Sequence, residues 1–169
     1  MLLIILLSLL FSAFFSGSEI AYLQSNRLKI EIDKKQGVVS ARILSFFVKN
    51  ESKFITTLLL GNNIALVVYG IFMGELIIAK LFPDYIDTIE LPGLILLIQT
   101  LISTLIILVT AEFLPKTIFR INPNRTLSIL AYPLVIVYGA LYVLTMMVTF
   151  ISGIILGLFG SKQVIGEVN

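Results

Sequence analysis

Long runs of apolar residues limit what this chain can fold into more than any other feature. They cover residues 1–15, 54–82, 92–111 and 126–160. A helix of about 20 apolar residues is long enough to span the hydrocarbon core of a bilayer. Hydrophobic residues make up 58% of the chain and charged residues only 13%, whereas soluble domains are about 45–50% apolar and about 25% charged. The sequence therefore predicts an all-α membrane protein with a single transmembrane domain over residues 1–160.

Cysteine and histidine, which carry much of metal and acid–base chemistry, are absent from these 169 residues. Disulfides, thiolate metal sites and the commonest zinc ligand are therefore excluded from this sequence. A membrane protease needs paired aspartates, a zinc-binding histidine set or a nucleophile beside a buried base. Asp84 and Asp87 lie in a loop, and no lysine lies at the depth of Ser12 or Ser16. We therefore expect that the chain is not an enzyme.

The uneven distribution of basic residues predicts the topology. Seven of the twelve lysines and arginines lie between Arg27 and Lys53. The loop at 83–91 holds three acidic residues and no basic one, whereas residues 116–125 contain three basic residues. By the positive-inside rule, 25–53 and 116–125 lie in the cytoplasm and 83–91 lies outside.

Three spans follow from this topology, over about residues 1–24, 54–82 and 92–119. The first apolar run lacks the basic start and the small-residue cleavage site of a signal peptide, so we interpret it as a retained span. The expected protein is a multi-pass protein of the plasma (inner) membrane. Its N-terminus lies outside and its C-terminus lies in the cytoplasm.

The segment between the first two spans predicts two juxtamembrane helices over 25–53, separated at Gly37. The second of them carries apolar side chains on one side and basic residues at both ends. A basic amphipathic stretch beside a span typically lies in the plane of the lipid headgroups. The lipid bilayer is therefore an expected partner of this segment, and a solvated connector is the alternative.

The last apolar run, residues 126–160, does not fit a single crossing. As one helix it would be roughly 52 Å long, which exceeds the bilayer core, yet it is too short for two crossings with a turn. Pro133, Gly139 and Gly153 are places where it can break. We expect a partly inserted helical hairpin or a bent helix packed against the spans, and a single tilted fourth span is the alternative. Residues 161–169 then begin a linker.

Polar residues inside the spans predict a site, because polar groups at membrane depth normally face a bundle interior or a cavity. Ser12, Ser16 and Glu19 are spaced i, i+4, i+7 and so share one helix face. Counted from the expected cytoplasmic boundary at about 1.5 Å per residue, Ser16 and Asn62 lie about 12 Å deep and Glu112 about 10 Å deep. Three helices therefore present oxygen atoms at a common depth, which predicts a shared cation site.

Pro115 supports this prediction. It has no N–H group, so the carbonyl of Ala111 loses its helical donor and the helix kinks. A freed carbonyl at membrane depth is tolerated where it lines a cavity or binds an ion. Gly17 and Gly61 allow the backbone to approach closely or to unwind. Hydroxyl, amide, carboxylate and carbonyl oxygens are hard ligands that suit magnesium, calcium or sodium.

Each of these residues also has an ordinary structural explanation. The serine hydroxyls can bond back to their own helix, and Asn62 can form a hydrogen bond between helices. Glu112 can pair with Lys116 one turn away and extend toward the headgroups. Glu19 can pair with a base at headgroup level. The sequence leaves these alternatives open.

Three motifs occur in order along the chain: LFSAFFSGSEIAYL in the first span, LLLGNNIA at the start of the second, and AEFLPKTI in the third. Together they resemble the transmembrane domain of the CorC/cyclin-M (CNNM) magnesium transporters. The resemblance implies a homodimer with three spans per subunit, a belt of juxtamembrane helices and an inner-half cavity that holds a magnesium ion. It also implies sodium-coupled magnesium export and a cytoplasmic CBS-type domain after residue 169.

Carried over residue by residue, the resemblance assigns the metal site to Ser12, Ser16, Gly61, Asn62 and Glu112. Pro115 is then the helix kink at the site. Glu19, where animal members of the family have asparagine, and Asn63 are candidates for supporting the ligands. Magnesium is the expected substrate, with sodium as a possible coupling ion, and no nucleic acid is expected as a partner. An ion-sensing membrane anchor, which regulates a cytoplasmic partner without transport, is the alternative function.

Overall fold

The computed structural model describes residues 1–85 and 92–158, which are mostly helical. The helices are α1 (Leu2–Leu23), α2 (Arg27–Lys35), α3 (Val39–Lys49), α4 (Glu51–Leu81), α5 (Gly93–Ile107), α6 (Leu114–Ile121), α7 (Pro123–Ala140) and α8 (Tyr142–Leu158). A 3₁₀ turn, Pro83–Tyr85, follows α4, and a π-helical segment, Leu108–Phe113, joins α5 to α6. The described residues contain no strand, so the prediction of an all-α fold is confirmed.

Three helical stretches are long and apolar enough to cross a bilayer: Leu2–Leu23, Glu51–Leu81 and Gly93–Ile121. The third combines α5, the π-helical segment and α6. These three stretches coincide with the three spans predicted from the sequence, because the thickness of the bilayer sets the length of an apolar helix. Most of the acidic loop expected at 83–91, with Asp87, and the linker expected at 161–169 lie outside the described residues.

Helix α1 lies at the centre of the bundle and packs against α4, the π-helical segment, α6 and α7. Two glycines allow the closest of these approaches. A Cβ at Gly17 would lie 2.4 Å from Cδ2 of Phe119 on α6, and a Cβ at Gly61 would lie 2.3 Å from Cζ of Phe15. Both helices continue unbroken through these glycines. The glycines therefore permit close packing, and the backbone does not unwind at either one.

A cluster of aromatic rings holds the end of the bundle that carries α2 and α3, which we call the basic end. The rings of Phe47 and Phe54 stack with centroids 4.1 Å apart, and Tyr22 meets Phe54 edge-on at 4.9 Å. Tyr138 of α7 contacts Phe47 at 5.4 Å. Aromatic pairs contribute about 0.5–1.5 kcal/mol beyond their buried area. The cluster therefore ties α1, α3, α4 and α7 together.

The segment between the first two spans forms two helices, α2 and α3, with a tight turn at Gly37. Gly37 has a φ of 88°, which is unfavourable for a residue with a Cβ. Its N–H donates to the carbonyl of Lys34 over 3.0 Å, and that of Val38 donates to the carbonyl of Asp33 over 3.1 Å. These two bonds form a Schellman motif, which satisfies the last carbonyls of α2.

A polar network joins α2 to α3. The hydroxyl of Ser45 donates to Oε1 of Glu31 over 2.5 Å, and Nζ of Lys34 donates to Oε2 of Glu31 over 3.2 Å. Hydrogen bonds from Ser45 and then Lys34 lower the pKa of the Glu31 carboxyl below its usual value of 4.5. The charged form of Glu31 is therefore the form that connects the two helices.

The C-terminal apolar run forms α7 and α8, which are bent by 67° relative to each other. Pro133 lies within α7 and Gly153 within α8, and neither ends its helix. The break falls at Leu141, two residues after Gly139. The run is therefore broken into two helices, as the sequence predicted, and they pack against α1, α3 and α4.

Hydroxyl pairs fix these C-terminal helices to the rest of the bundle. Ser40 of α3 and Ser128 of α7 place their Oγ atoms 2.6 Å apart. Thr57 of α4 and Thr145 of α8 place their Oγ1 atoms 2.9 Å apart, and both side chains are buried. Each pair satisfies hydroxyls that hydrocarbon cannot satisfy.

Candidate functional site

The centre of the candidate site is a hydrogen bond between two spans. Ser12 on α1 is fully buried, and its Oγ donates to Oδ1 of Asn62 on α4 over 2.8 Å. Each of these two oxygens has a further lone pair that this bond does not use. The structure therefore joins two of the predicted site residues on different helices, but Asn62 pairs with Ser12 and not with Ser16, which the sequence placed at the depth of Asn62.

Ser16 lies one helical turn from Ser12 on the same helix. Its side chain is 1% exposed, and its Oγ has no hydrogen-bond partner among the described residues. A buried hydroxyl left without a partner costs about 1–3 kcal/mol, so a native one calls for an explanation such as an ion ligand. The Ser16 hydroxyl is therefore free to serve as a ligand beside the Ser12–Asn62 pair.

Glu112 lies in the π-helical segment, and its side chain is 30% exposed. Nζ of Lys116 is 3.9 Å from its Oε2. The pairing that the sequence offered as an alternative is thus present in the structure. The π-helical segment packs against α1, but within the described residues no hydrogen bond joins Glu112 to Ser12 or Asn62.

Pro115 is buried in the first turn of α6, directly after the π-helical segment. The N–H of Leu114 donates to the carbonyl of Val109, five residues earlier. Proline has no N–H, and its ring clashes with the carbonyl four residues before it. A π turn changes the hydrogen-bond register of the helix and is frequent at functional sites. The irregularity expected from Pro115 is therefore present as a π-helical segment.

Two further residues, Glu19 and Asn63, are expected to support the ligands. Glu19 is half-buried and forms no salt bridge within the described part of the chain, and Asn63 is exposed. Residues 1–85 and 92–158 also contain no group of three acidic, histidine or cysteine side chains that could hold a metal. The candidate site thus combines one carboxylate with neutral oxygens.

Sequence reasoning missed the side chains that set the distances in this site. The ring of Phe15 lies on Gly61, and the ring of Phe119 lies on Gly17. The glycines signalled close packing, but nothing local in the sequence identified their partners. A second buried hydroxyl without a partner among the described residues, Ser18, was also missed.

Comparison with known proteins follows from these features. The family profile of the cyclin M transmembrane N-terminal domain (CNNM) matches residues 2–168. The chain belongs to this family. The resemblance drawn from the three sequence motifs is therefore confirmed.

Two curated relatives of this cyclin M domain come from bacteria. The UPF0053 inner membrane protein YfjD of Escherichia coli (strain K12) is 31% identical over 135 residues, which is 80% of this chain and 28% of that protein. The UPF0053 protein MG146 of Mycoplasma genitalium is 33% identical over 138 residues, 76% of this chain and 30% of that protein. The cyclin M domain thus matches less than a third of the length of either relative.

Family membership and the three apolar helices identify a multi-pass membrane domain.

Proposed function

We propose that this cyclin M domain carries magnesium across the membrane, as sodium-coupled export, through the site at Ser12, Ser16, Gly61, Asn62 and Glu112. The observation that carries the proposal is the contact between Ser12 and Asn62. Magnesium binds oxygens octahedrally at about 2.0–2.1 Å, so adjacent ligands lie about 2.9 Å apart. The 2.8 Å between Ser12 Oγ and Asn62 Oδ1 is an ordinary hydrogen-bond length. It also lets both oxygens occupy adjacent positions of such an octahedron once the Ser12 hydroxyl turns its proton away.

The other ligands have distinct roles in this proposal. The free hydroxyl of Ser16 supplies a third neutral oxygen. Glu112 supplies the negative charge that offsets part of the cation's charge. Magnesium loses its water reluctantly and usually keeps several water molecules, which complete the octahedron.

Lys116 acts as the counter-ion of Glu112 when the site is empty. A partly exposed pair at 3.9 Å contributes about 0–1 kcal/mol. A divalent cation therefore displaces Lys116 from Glu112 at little cost, because it offers twice the charge at a shorter distance.

Magnesium-dependent thermal stabilisation of the purified protein tests the site. At a magnesium concentration of 100 times Kd, a single site stabilises the folded state by about 2.7 kcal/mol. Glu112→Gln and Ser16→Ala are expected to lose most of this stabilisation. Glu75→Gln and Ser8→Ala are matched controls, because Glu75 is exposed and the Ser8 hydroxyl donates to the carbonyl of Ile4. Full stabilisation of both site variants would refute the assignment.

Magnesium efflux from loaded proteoliposomes tests transport separately from binding. We expect efflux to rise when an inward sodium gradient is applied, and Glu112→Gln to abolish it. Magnesium binding without efflux would instead support the ion-sensing anchor. In the full-length protein we expect a second copy and a cytoplasmic CBS-type domain as partners, and no enzymatic activity.

A further inference from the structure

A second polar region lies within the spans, away from the candidate site. A cavity of about 330 Å³, open on one side, lies between part of α4 and α5. Its α5 wall carries the side chains of Gln99, Thr100, Ser103 and Thr104, and Gly70 opens its α4 wall. A water molecule occupies about 30 Å³ in the liquid. The cavity therefore has room for several water molecules.

The cavity lies between the candidate site and the end of the bundle where α4 ends and α5 begins, which we call the loop end. Its nearest lining residue on α4 is Leu66, one helical turn beyond Asn62. On the third span the nearest is Ile107, five residues before Glu112. At about 1.5 Å per residue, the cavity extends to Gly70, about 12 Å beyond Asn62. The cavity therefore extends from near the depth of the candidate site toward the loop end.

The polar side chains on the α5 wall are unusual for a surface that faces lipid. Thr100 and Thr104 are exposed within a span, and a Cβ at Gly74 would lie 2.7 Å from Nε2 of Gln99. Polar side chains at membrane depth normally face a bundle interior or a water-filled cavity. Leu101 and Leu105, which follow the two threonines directly, are 62% and 65% exposed and present an ordinary lipid-facing surface. Helix α5 therefore has a leucine face and a hydroxyl face at the same depth.

The lining residues also suit a cavity through which a cation passes, and not one that binds a cation tightly. Among the described residues, none of the side chains that line the cavity is charged. The hydroxyl of Tyr69 donates to the carbonyl of Ser103 over 3.0 Å, which holds α4 and α5 together at this wall. Neutral oxygens can replace part of the hydration of an ion without retaining it, which conduction requires.

We propose that this cavity is filled with water and forms the half of the cation path between the candidate site and the loop end. The identity of the ion that passes through the cavity rests on the proposed function. The presence of water in the cavity does not. Leu66 and Ile107 line its inner end.

Cysteine accessibility tests the proposal, because the sequence contains no cysteine. Thr100→Cys and Thr104→Cys are compared with Leu101→Cys and Leu105→Cys, their neighbours at the same depth. Each protein is reconstituted into lipid vesicles and treated with a cationic, membrane-impermeant methanethiosulfonate. A thiol must ionise to react, and apolar surroundings suppress ionisation, so we expect the threonine-site cysteines to react about tenfold faster or more.

Two exposed positions report the side of access. Asp84→Cys lies at the loop end and Arg42→Cys at the basic end. In sealed vesicles we expect the labelled fraction of Thr100→Cys to follow that of Asp84→Cys and not that of Arg42→Cys.

Equal, slow modification of the threonine-site and leucine-site cysteines would overturn the proposal. It would also fail if Thr100→Cys and Thr104→Cys resisted the reagent and formed disulfides between copies, because a second copy would then fill the cavity. Two threonine positions keep the test decisive if one variant does not fold. Rapid labelling in a protein that magnesium does not stabilise would refute the magnesium site while leaving the hydrated cavity intact.

Discussion

Replacement of Gly61 by alanine tests whether the contact between Phe15 and α4 holds the candidate site together. The new Cβ would lie 2.3 Å from Cζ of Phe15, where ordinary contacts begin at 3.4 Å. The buried ring would therefore have to retreat by more than about 1 Å, and overpacking of this kind costs about 1–3 kcal/mol. Because Phe15 and Ser12 lie on the same helix, the retreat would also stretch the 2.8 Å bond from Ser12 to Asn62.

Gly70 is the matched control on the same helix. A Cβ there meets nothing within 4 Å, so Gly70→Ala keeps only the gain of about 0.5–1 kcal/mol from replacing a helical glycine. We expect Gly61→Ala to be less stable than Gly70→Ala by about 1–3 kcal/mol. Each kcal/mol corresponds to about 2–4 °C in Tm for a chain of about 150–250 residues. Thermal unfolding of the purified variants measures this difference.

A second substitution separates the clash from other effects of alanine. Phe15→Leu removes the atoms nearest to Gly61, so the double variant Phe15→Leu/Gly61→Ala should be more stable than the sum of the two single changes predicts. If Gly61→Ala and Gly70→Ala have the same Tm, Phe15 does not constrain the distance between α1 and α4, and the packing argument fails.

Two further predictions concern polar contacts outside the site. Thr57→Val should destabilise the protein by about 1–3 kcal/mol because it leaves the buried Thr145 hydroxyl without this partner. The double variant Thr57→Val/Thr145→Val should restore most of that loss in the same denaturation assay, and no recovery would contradict the pairing. The lowered pKa of Glu31 means that its contribution to stability is present above its ordinary pKa of 4.5 and is lost as the pH falls through its lower folded value. Ser45→Ala should raise the pKa of Glu31 toward the ordinary value in an NMR titration, and an unchanged titration would contradict the assigned hydrogen bond.

The spans could be predicted from sequence because one physical quantity, the thickness of the hydrocarbon core, sets their length. Gly37 likewise marked the boundary between α2 and α3, since a residue without a Cβ tolerates the positive φ of that turn. These are local properties. The place of the bend between α7 and α8 was less certain, because Pro133, Gly139 and Gly153 all offered a break and only the packing of the two helices selects Leu141.

The candidate site was partly predictable for the same reason. Depth placed Ser16 and Asn62 at one level, and helical spacing placed Ser12 on the same face as Ser16. The structure joins Asn62 to Ser12, one turn from Ser16, by a hydrogen bond. Depth alone does not decide the rotation of a helix about its axis, so it left open whether Glu112 faces Ser12. The ring contacts at Gly17 and Gly61 were not predictable for a related reason, because they join residues far apart in sequence.

The central position of α1 has a consequence for how the protein is made. Helix α1 is synthesised before α4, α6 and α7, which surround it in the finished bundle. When α1 is alone in the bilayer, its serine hydroxyls can bond only to carbonyls of their own helix. Ser12 gains its bond to Asn62 when α4 arrives. Biosynthesis therefore makes the helix with the buried serines first, and the helices that cover these serines follow it.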